Sequence, residues 1–347
     1  MRLHLAAALL SFCALALTPI SSQTPSGPRL LVLSKRDHTL SIVNPSTLQV
    51  EARIASGDDP HEVAASADGR TAYISNYGFG AFHTITAVDL VAERQEKVID
   101  LTPLSGPHGL FFAEGKLWFT AEVNKVIGRY DPVSGKVDFI LGTGQNRTHM
   151  LYVLPGGHRI VTTNVNSGTV LIFDRMETTS TSAPPPGYPE GAILPPGGDW
   201  FPSVVPVGPR GEGFDVSPDG KEAWVANAGD GTVTIVDLGA RRASGNLDIN
   251  VKSANRLKFT PDGKLVLISM SSQPDVLVLN AATHEAVKRI PVGHGAAGIL
   301  MQPDGARAYI ACSPDNSVAV VDLKTLEVVG RIDAGGSPDG MAWAVIP

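Results

Sequence analysis

A chain of 347 residues with 36 Gly, 26 Pro and only 18% charged side chains suits many short strands joined by tight turns, because Gly and Pro supply the backbone angles that turns require. Long helices are not expected from it. A formal net charge of -6 offers no basic field for a phosphate backbone, which argues against nucleic acid or any other acidic macromolecule as a partner.

The chain opens Met1-Arg2-Leu3-His4, runs apolar from Leu5 to Leu17, and continues Thr18-Pro19-Ile20-Ser21-Ser22. Charge, apolar run and small residues in that order are the pattern of a secretory signal, and the run is too short to span a membrane. Residues 1–22 are therefore expected to be a signal peptide, cut between 16 and 23, and the mature chain to be periplasmic or extracellular with no membrane span. Cys13 follows Phe12, too bulky to precede a lipidated cysteine. Cys312 is then alone in the mature chain, cannot close an internal disulfide, and is expected to be a small buried hydrophobe.

From Arg29 onward a hairpin phrase recurs: an apolar strand, a turn such as Ser217-Pro218-Asp219-Gly220, a strand such as Ala223-Trp224-Val225-Ala226-Asn227, and a third ending Val236-Asp237. The turn returns as Thr260-Pro261-Asp262-Gly263 and Gln302-Pro303-Asp304-Gly305. Pro pre-sets the first turn angle and Gly takes the left-handed position, so each phrase is a hairpin of fixed register. Alignment on these turns places equivalent first-strand residues at 61, 108, 149, 212, 255, 297 and 339, with successive differences of 47, 41, 63, 43, 42 and 42. A period near 42 with several strands per repeat predicts a β-propeller. The fold class expected is all-β, a seven-bladed β-propeller over residues 28–347. Its last blade combines the C-terminal strand Met341-Ala342-Trp343-Ala344-Val345 with three N-terminal strands at 29–33, 41–43 and 50–54, which leaves no open edge. The long difference of 63 reflects a Ser-, Thr-, Pro- and Gly-rich insertion at 176–200, expected to be irregular and to join the third and fourth strands of blade three.

Trp224-Val225-Ala226-Asn227 followed by Gly231-Thr232-Val233-Thr234-Ile235-Val236-Asp237 resembles the repeat of the YVTN (YncE-like) propellers, which implies a sensing, binding or cell-surface module. Blade two is similar instead to the streptogramin (virginiamycin B) lyase repeat, through Gly106-Pro107-His108-Gly109-Leu110, Leu117-Trp118-Phe119-Thr120 and Asn124-Lys125-Val126-Ile127-Gly128-Arg129. That second resemblance implies metal-assisted elimination, with His108 handling the proton and Glu122 and His61 holding the metal.

First strands line a propeller's axis, so the seven aligned positions become a ring: His61, His108, His149, Glu212, Asn255, Ala297 and Asp339. Three imidazoles on consecutive blades beside a carboxylate can hold a divalent ion or exchange protons with a ligand. The polar members of the ring are the expected ligand contacts. His61, His108, His149 and Glu212 are the expected metal set, of unspecified metal, and His108 and Glu122 the expected catalytic pair. Asn76, Asn164 and Asn227, aligned at the ends of second strands, are expected to bond turn backbone. The leading expectation is a small-molecule binder working through its axial funnel. The alternatives are a metal-dependent lyase or lactonase-like enzyme using the same funnel, and a non-catalytic scaffold that meets a protein partner through its outer loops.

Overall fold

The computed structural model describes residues 26–176, 199–251 and 253–347. Over them the chain is a ring of seven four-stranded antiparallel sheets, with one short 3-10 turn at Gly78–Gly80 and no α-helix among the described residues. No helix among them is long and apolar enough to cross a membrane. Six blades are consecutive in sequence, with inner strands Pro60–Ala65, Pro107–Ala113, Thr148–Val153, Gly211–Val216, Ala254–Phe259 and Ala296–Met301. The seventh pairs the C-terminal inner strand Pro338–Ile346 with Gly27–Ser34, in a register running from Gly27 opposite Ile346 to Ser34 opposite Pro338. The two ends of the chain thus close the ring, as the missing strands of the last repeat implied.

The buried apolar residues fall into seven clusters, each lying between two neighbouring blades. This explains why middle strands such as Leu30-Leu31-Val32-Leu33 are apolar without alternation. Successive side chains point to opposite faces of a strand, and here both faces meet another blade. Leu31 and Leu33 pack toward blade one, while Leu30 and Val32 pack toward blade six. The outermost strands follow the opposite rule, with alternating exposed residues such as those of Lys136–Gly142.

Cys312 is fully buried, as expected, and burial pushes its thiol pKa up. The expected signal peptide, its cleavage site and Cys13 lie outside the described residues. So does most of the expected insertion: Met176 closes one strand of blade three, and Asp199 and Trp200 open the next, paired with it. Antiparallel order puts Met176 and Asp199 at the end of the blade opposite Thr148 and the ring.

Candidate functional site

Each predicted ring residue is the second residue of its inner strand, so the alignment register holds in all seven blades. In every blade the pairing of inner and second strands shifts across this point, leaving two inner-strand residues opposite one: His61 and Glu62 face Ser75, and His108 and Gly109 face Thr120. A bulge of this kind re-aims side chains, here toward the axis. The residue opposite is often a hydroxyl that takes up the hydrogen bonds freed by the bulge. Gly109 N donates to Thr120 Oγ1 at 2.9 Å, and that hydroxyl donates to His149 O at 2.8 Å. Ser269 likewise accepts from Arg256 N at 3.1 Å and donates to Ala297 O at 2.7 Å. Adjacent inner strands approach so closely that a Cβ on Gly109 would stand 2.6 Å from His149 O, and one on Gly298 only 2.2 Å from Asp339 O.

The three imidazoles form one arc. His61 and His108 ring centroids are 4.5 Å apart, and His108 and His149 lie 3.7 Å apart with planes at 34°. His149 Nδ1 is hydrogen bonded to Glu122 Oε1, while Tyr77 donates its hydroxyl to Glu122 Oε2 at 2.5 Å. On its other side His149 Nε2 lies 3.3 Å from Glu212 Oε1, out of line for a hydrogen bond. Asn255 Nδ2 donates to the same carboxylate oxygen at 3.4 Å, and Asp339 accepts from Lys35 Nζ at 3.2 Å. Lys35 Nζ is also 3.4 Å from His61 Nε2. Beneath the arc, Arg256 Nη2 donates to Glu62 Oε1 at 2.8 Å, a bond spanning the axis from blade five to blade one, and Arg256 Nη1 lies 3.6 Å from Glu212.

Charge follows from these contacts. Burial pushes the His108 pKa well below its usual value, reinforced by the charge on His149, so His108 is neutral at pH 7. Burial acts on His149 in the same direction but is outweighed by the Glu122 and Glu212 carboxylates, which raise its pKa. For both carboxylates burial works upward and is overcome, chiefly by His149, so both titrate below the ordinary range. The Tyr77 hydroxyl is held protonated, first by burial and then by the carboxylate it bonds.

Among the described residues, one group of three or more His, Cys, Asp or Glu side chains brings its donor atoms close enough to hold an ion: those of His108, Glu122 and His149 lie within 4.8 Å of one another. This set differs from the expected His61, His108, His149 and Glu212. Glu122, read in sequence only through its resemblance to the lyase repeat, joins because it directly follows its second strand, where its N–H donates to Gly106 O at 3.0 Å and its carboxylate reaches His149. Glu212 stays outside the set, drawn toward Arg256 and Asn255, and His61 stays outside it beside Lys35. His61 Nδ1 and His108 Nδ1 are buried without a hydrogen-bond partner, and so is His149 Nε2.

The ring was legible in sequence; two neighbouring tiers were not. The residue just before each inner strand adopts positive φ in all seven blades (Asp59, Gly106, Arg147, Arg210, Ser253, Gly295 and Ser337), and this tier places Arg147 Nε 3.5 Å from Glu122 Oε2. The first residue after each second strand forms the other tier, and Lys35, Tyr77 and Glu122 occupy it on blades seven, one and two. Aligning these flanking columns would have exposed both. Asn76 and Asn164 do bond backbone, through Ser56 O at 3.2 Å and Thr169 O at 3.3 Å, and they also fix threonine hydroxyls. Asn227 instead donates to two hydroxyls, Thr232 and Thr234, both at 2.8 Å.

Residues 3–134 match the family model of the YNCE-like beta-propellers. The YNCE-like match ends within blade two and takes in Lys35, His61, Tyr77, His108 and Glu122, but not Arg147, His149 or Glu212. No curated protein sequence matches the chain. Solved structures of similar fold include a functionally unknown protein from Desulfotomaculum acetoxidans DSM 771, 16% identical, with a TM-score of 0.71 over 92% of this chain and 99% of that one. Hydrazine synthase of Kuenenia stuttgartiensis is 16% identical, with a TM-score of 0.64 over 81% of this chain and 88% of that one. A Bacteroides fragilis NCTC 9343 protein provisionally named a 6-phosphogluconolactonase is 15% identical, with a TM-score of 0.67 over 93% and 99%. At these identities the likeness is one of fold. The similarity of blade two to streptogramin lyase is not among these findings.

Proposed function

We propose that this YNCE-like propeller is an exported binding protein that holds a divalent metal ion at His108, Glu122 and His149, and through it a small ligand at the axial mouth. The observation that carries the reading is the convergence of two buried imidazoles and a buried carboxylate on adjacent blades, with an unpartnered nitrogen on each imidazole. An unpartnered polar atom in the interior is costly, and His108, neutral with a free Nδ1, is ready to act as a ligand, whereas His149 gives up a proton held by its carboxylate neighbours when an ion binds. Five carboxylates crowd the same region (Asp59, Glu62, Glu122, Glu212 and Asp339) against Lys35, Arg147, Arg256 and the charged His149, a balance that still leaves negative charge in excess. Export rests on the signal-like order of residues 1–22.

The test is metal titration of the purified protein by calorimetry with Zn2+, Co2+ and Mn2+. One ion is expected to bind per chain, and the His108→Ala/His149→Ala double variant, folded by circular dichroism, is expected to weaken binding at least a hundredfold. Unchanged affinity in that variant would remove the site.

A second reading, that of a lyase or lactonase-like enzyme, is favoured by one feature. His108 is neutral with Nδ1 free, a state suited to taking a proton from a bound substrate. Turnover of cyclic esters or lactones that stops with a chelator and with His108→Ala would establish it.

A further inference from the structure

The connection between second and third strands has four residues in six blades, for example 122–125, 165–168 and 228–231, but seven in blade one, Tyr77 to His83. This longer loop lies at the ring's mouth and is tightly held. Gly78 N donates to Asp59 Oδ2 at 2.9 Å, Ala81 N to Gly78 O at 3.0 Å, and Gly106 N to Phe82 O at 2.7 Å. At its tip Phe79 is 91% exposed and sits in the left-handed region at φ 51, between two glycines. A bulky side chain there is strained, and an exposed phenyl ring adds nothing to the core. The two glycines that flank it lie against further exposed apolar side chains: a Cβ on Gly80 would meet Val123 of blade two at 3.0 Å, and one on Gly78 would meet Phe82 at 2.5 Å. The apolar ledge is continuous with the site, since Phe79 and Tyr77 ring centroids are 6.2 Å apart and those of Tyr77 and His108 are 4.9 Å apart. Arg147, with about a third of its side chain exposed, lies over the same carboxylate that Tyr77 bonds.

From this juxtaposition we infer that the ligand class is an amphiphilic aryl-alkyl carboxylate. The carboxylate meets the His108–Glu122–His149 centre and Arg147, and the flat apolar end rests on Phe79 and Val123. A rigid loop that spends strain to hold a phenyl ring in water a few ångströms from a polar centre is suited to a molecule with both characters. Two centroid steps of 6.2 and 4.9 Å limit the distance between the Phe79 and His108 rings to about 11 Å, so a chain of a few methylenes bridges head and ring. This inference rests on the proposed centre for the head group and on the ledge alone for the tail.

The test compares 4-phenylbutanoate with butanoate by calorimetry, on Co2+-loaded and on metal-free protein. Phenylbutanoate is expected to bind the loaded protein at least tenfold more tightly than butanoate. Phe79→Ser is expected to cut that ratio below threefold while leaving Co2+ and butanoate affinities as they were. Equal affinities in the unaltered protein, or a ratio that survives Phe79→Ser, would overturn the inference. Failure of the metal reading has its own signature: no Co2+ binds, yet metal-free protein still prefers phenylbutanoate in a Phe79-dependent way.

Discussion

A chain ending at Ser337 is expected to lose its cooperative thermal transition and to bind a hydrophobic dye. The residues removed form the inner strand of the closing blade, paired with Gly27–Ser34 along nearly its whole length. Ala342, Ala344 and Ile346 leave the cluster between blades seven and one, and Met341 and Trp343 leave the one between blades six and seven. Ile346 is fully buried and Met341 and Trp343 partly so; full burial of a large side chain stabilises by roughly 1.5–3 kcal/mol, so this loss, with its ladder of hydrogen bonds, is a large share of the about 5–15 kcal/mol by which a domain is usually stable. The damage is also topological, because Gly27–Ser34 becomes an open edge in place of a paired strand. A synthetic peptide of residues 338–347 is expected to restore part of the transition when added in excess. A truncated chain that melts within a few degrees of the full one would show that the ring does not depend on its clasp.

That closure was readable from sequence because the last repeat shows one strand and the first shows three, an imbalance that pairing the ends corrects. The ring was readable for a related reason: one turn phrase fixes register in each blade, and register fixes which residue reaches the axis. What the repeat could not convey is where a side chain goes after leaving its position. Glu122 and Glu212 carry the same carboxylate; one turns to His149 and Tyr77, the other is shared among His149, Asn255 and Arg256. The difference is set by neighbours on other blades. Likewise Glu62 and Arg256 are 194 positions apart and touch only because the blades are arranged in a ring about one axis. A trace of them was present: the residue after the ring position is glycine at 109, 213, 298 and 340, and Glu62, Met150 and Arg256 interrupt that column.

Arg256→Met is expected to be the most damaging single change among the axial side chains, lowering stability by about 3–5 kcal/mol, the usual cost of removing one partner from a buried ion pair. The guanidinium is the cation on which Glu62 and, more distantly, Glu212 converge, and all three side chains are at most 16% exposed. Burial opposes the charge on Arg256, and the carboxylates of Glu62, Glu212 and Asp339 more than restore it, raising its pKa further. Without it, Glu62 faces the axis with its charge uncompensated, while Glu212 keeps His149 and Asn255. Urea unfolding of variant and parent at pH 7.5 measures the loss. Adding Glu62→Leu to Arg256→Met removes both charges together and is expected to recover stability to within about 1–2 kcal/mol of the parent, since an apolar pair of similar volume commonly replaces a buried ion pair without loss. If the double variant is no more stable than Arg256→Met alone, the cross-axis pair is not what Arg256 contributes, and the stacking of its alkyl stem within the inner tier is the better account.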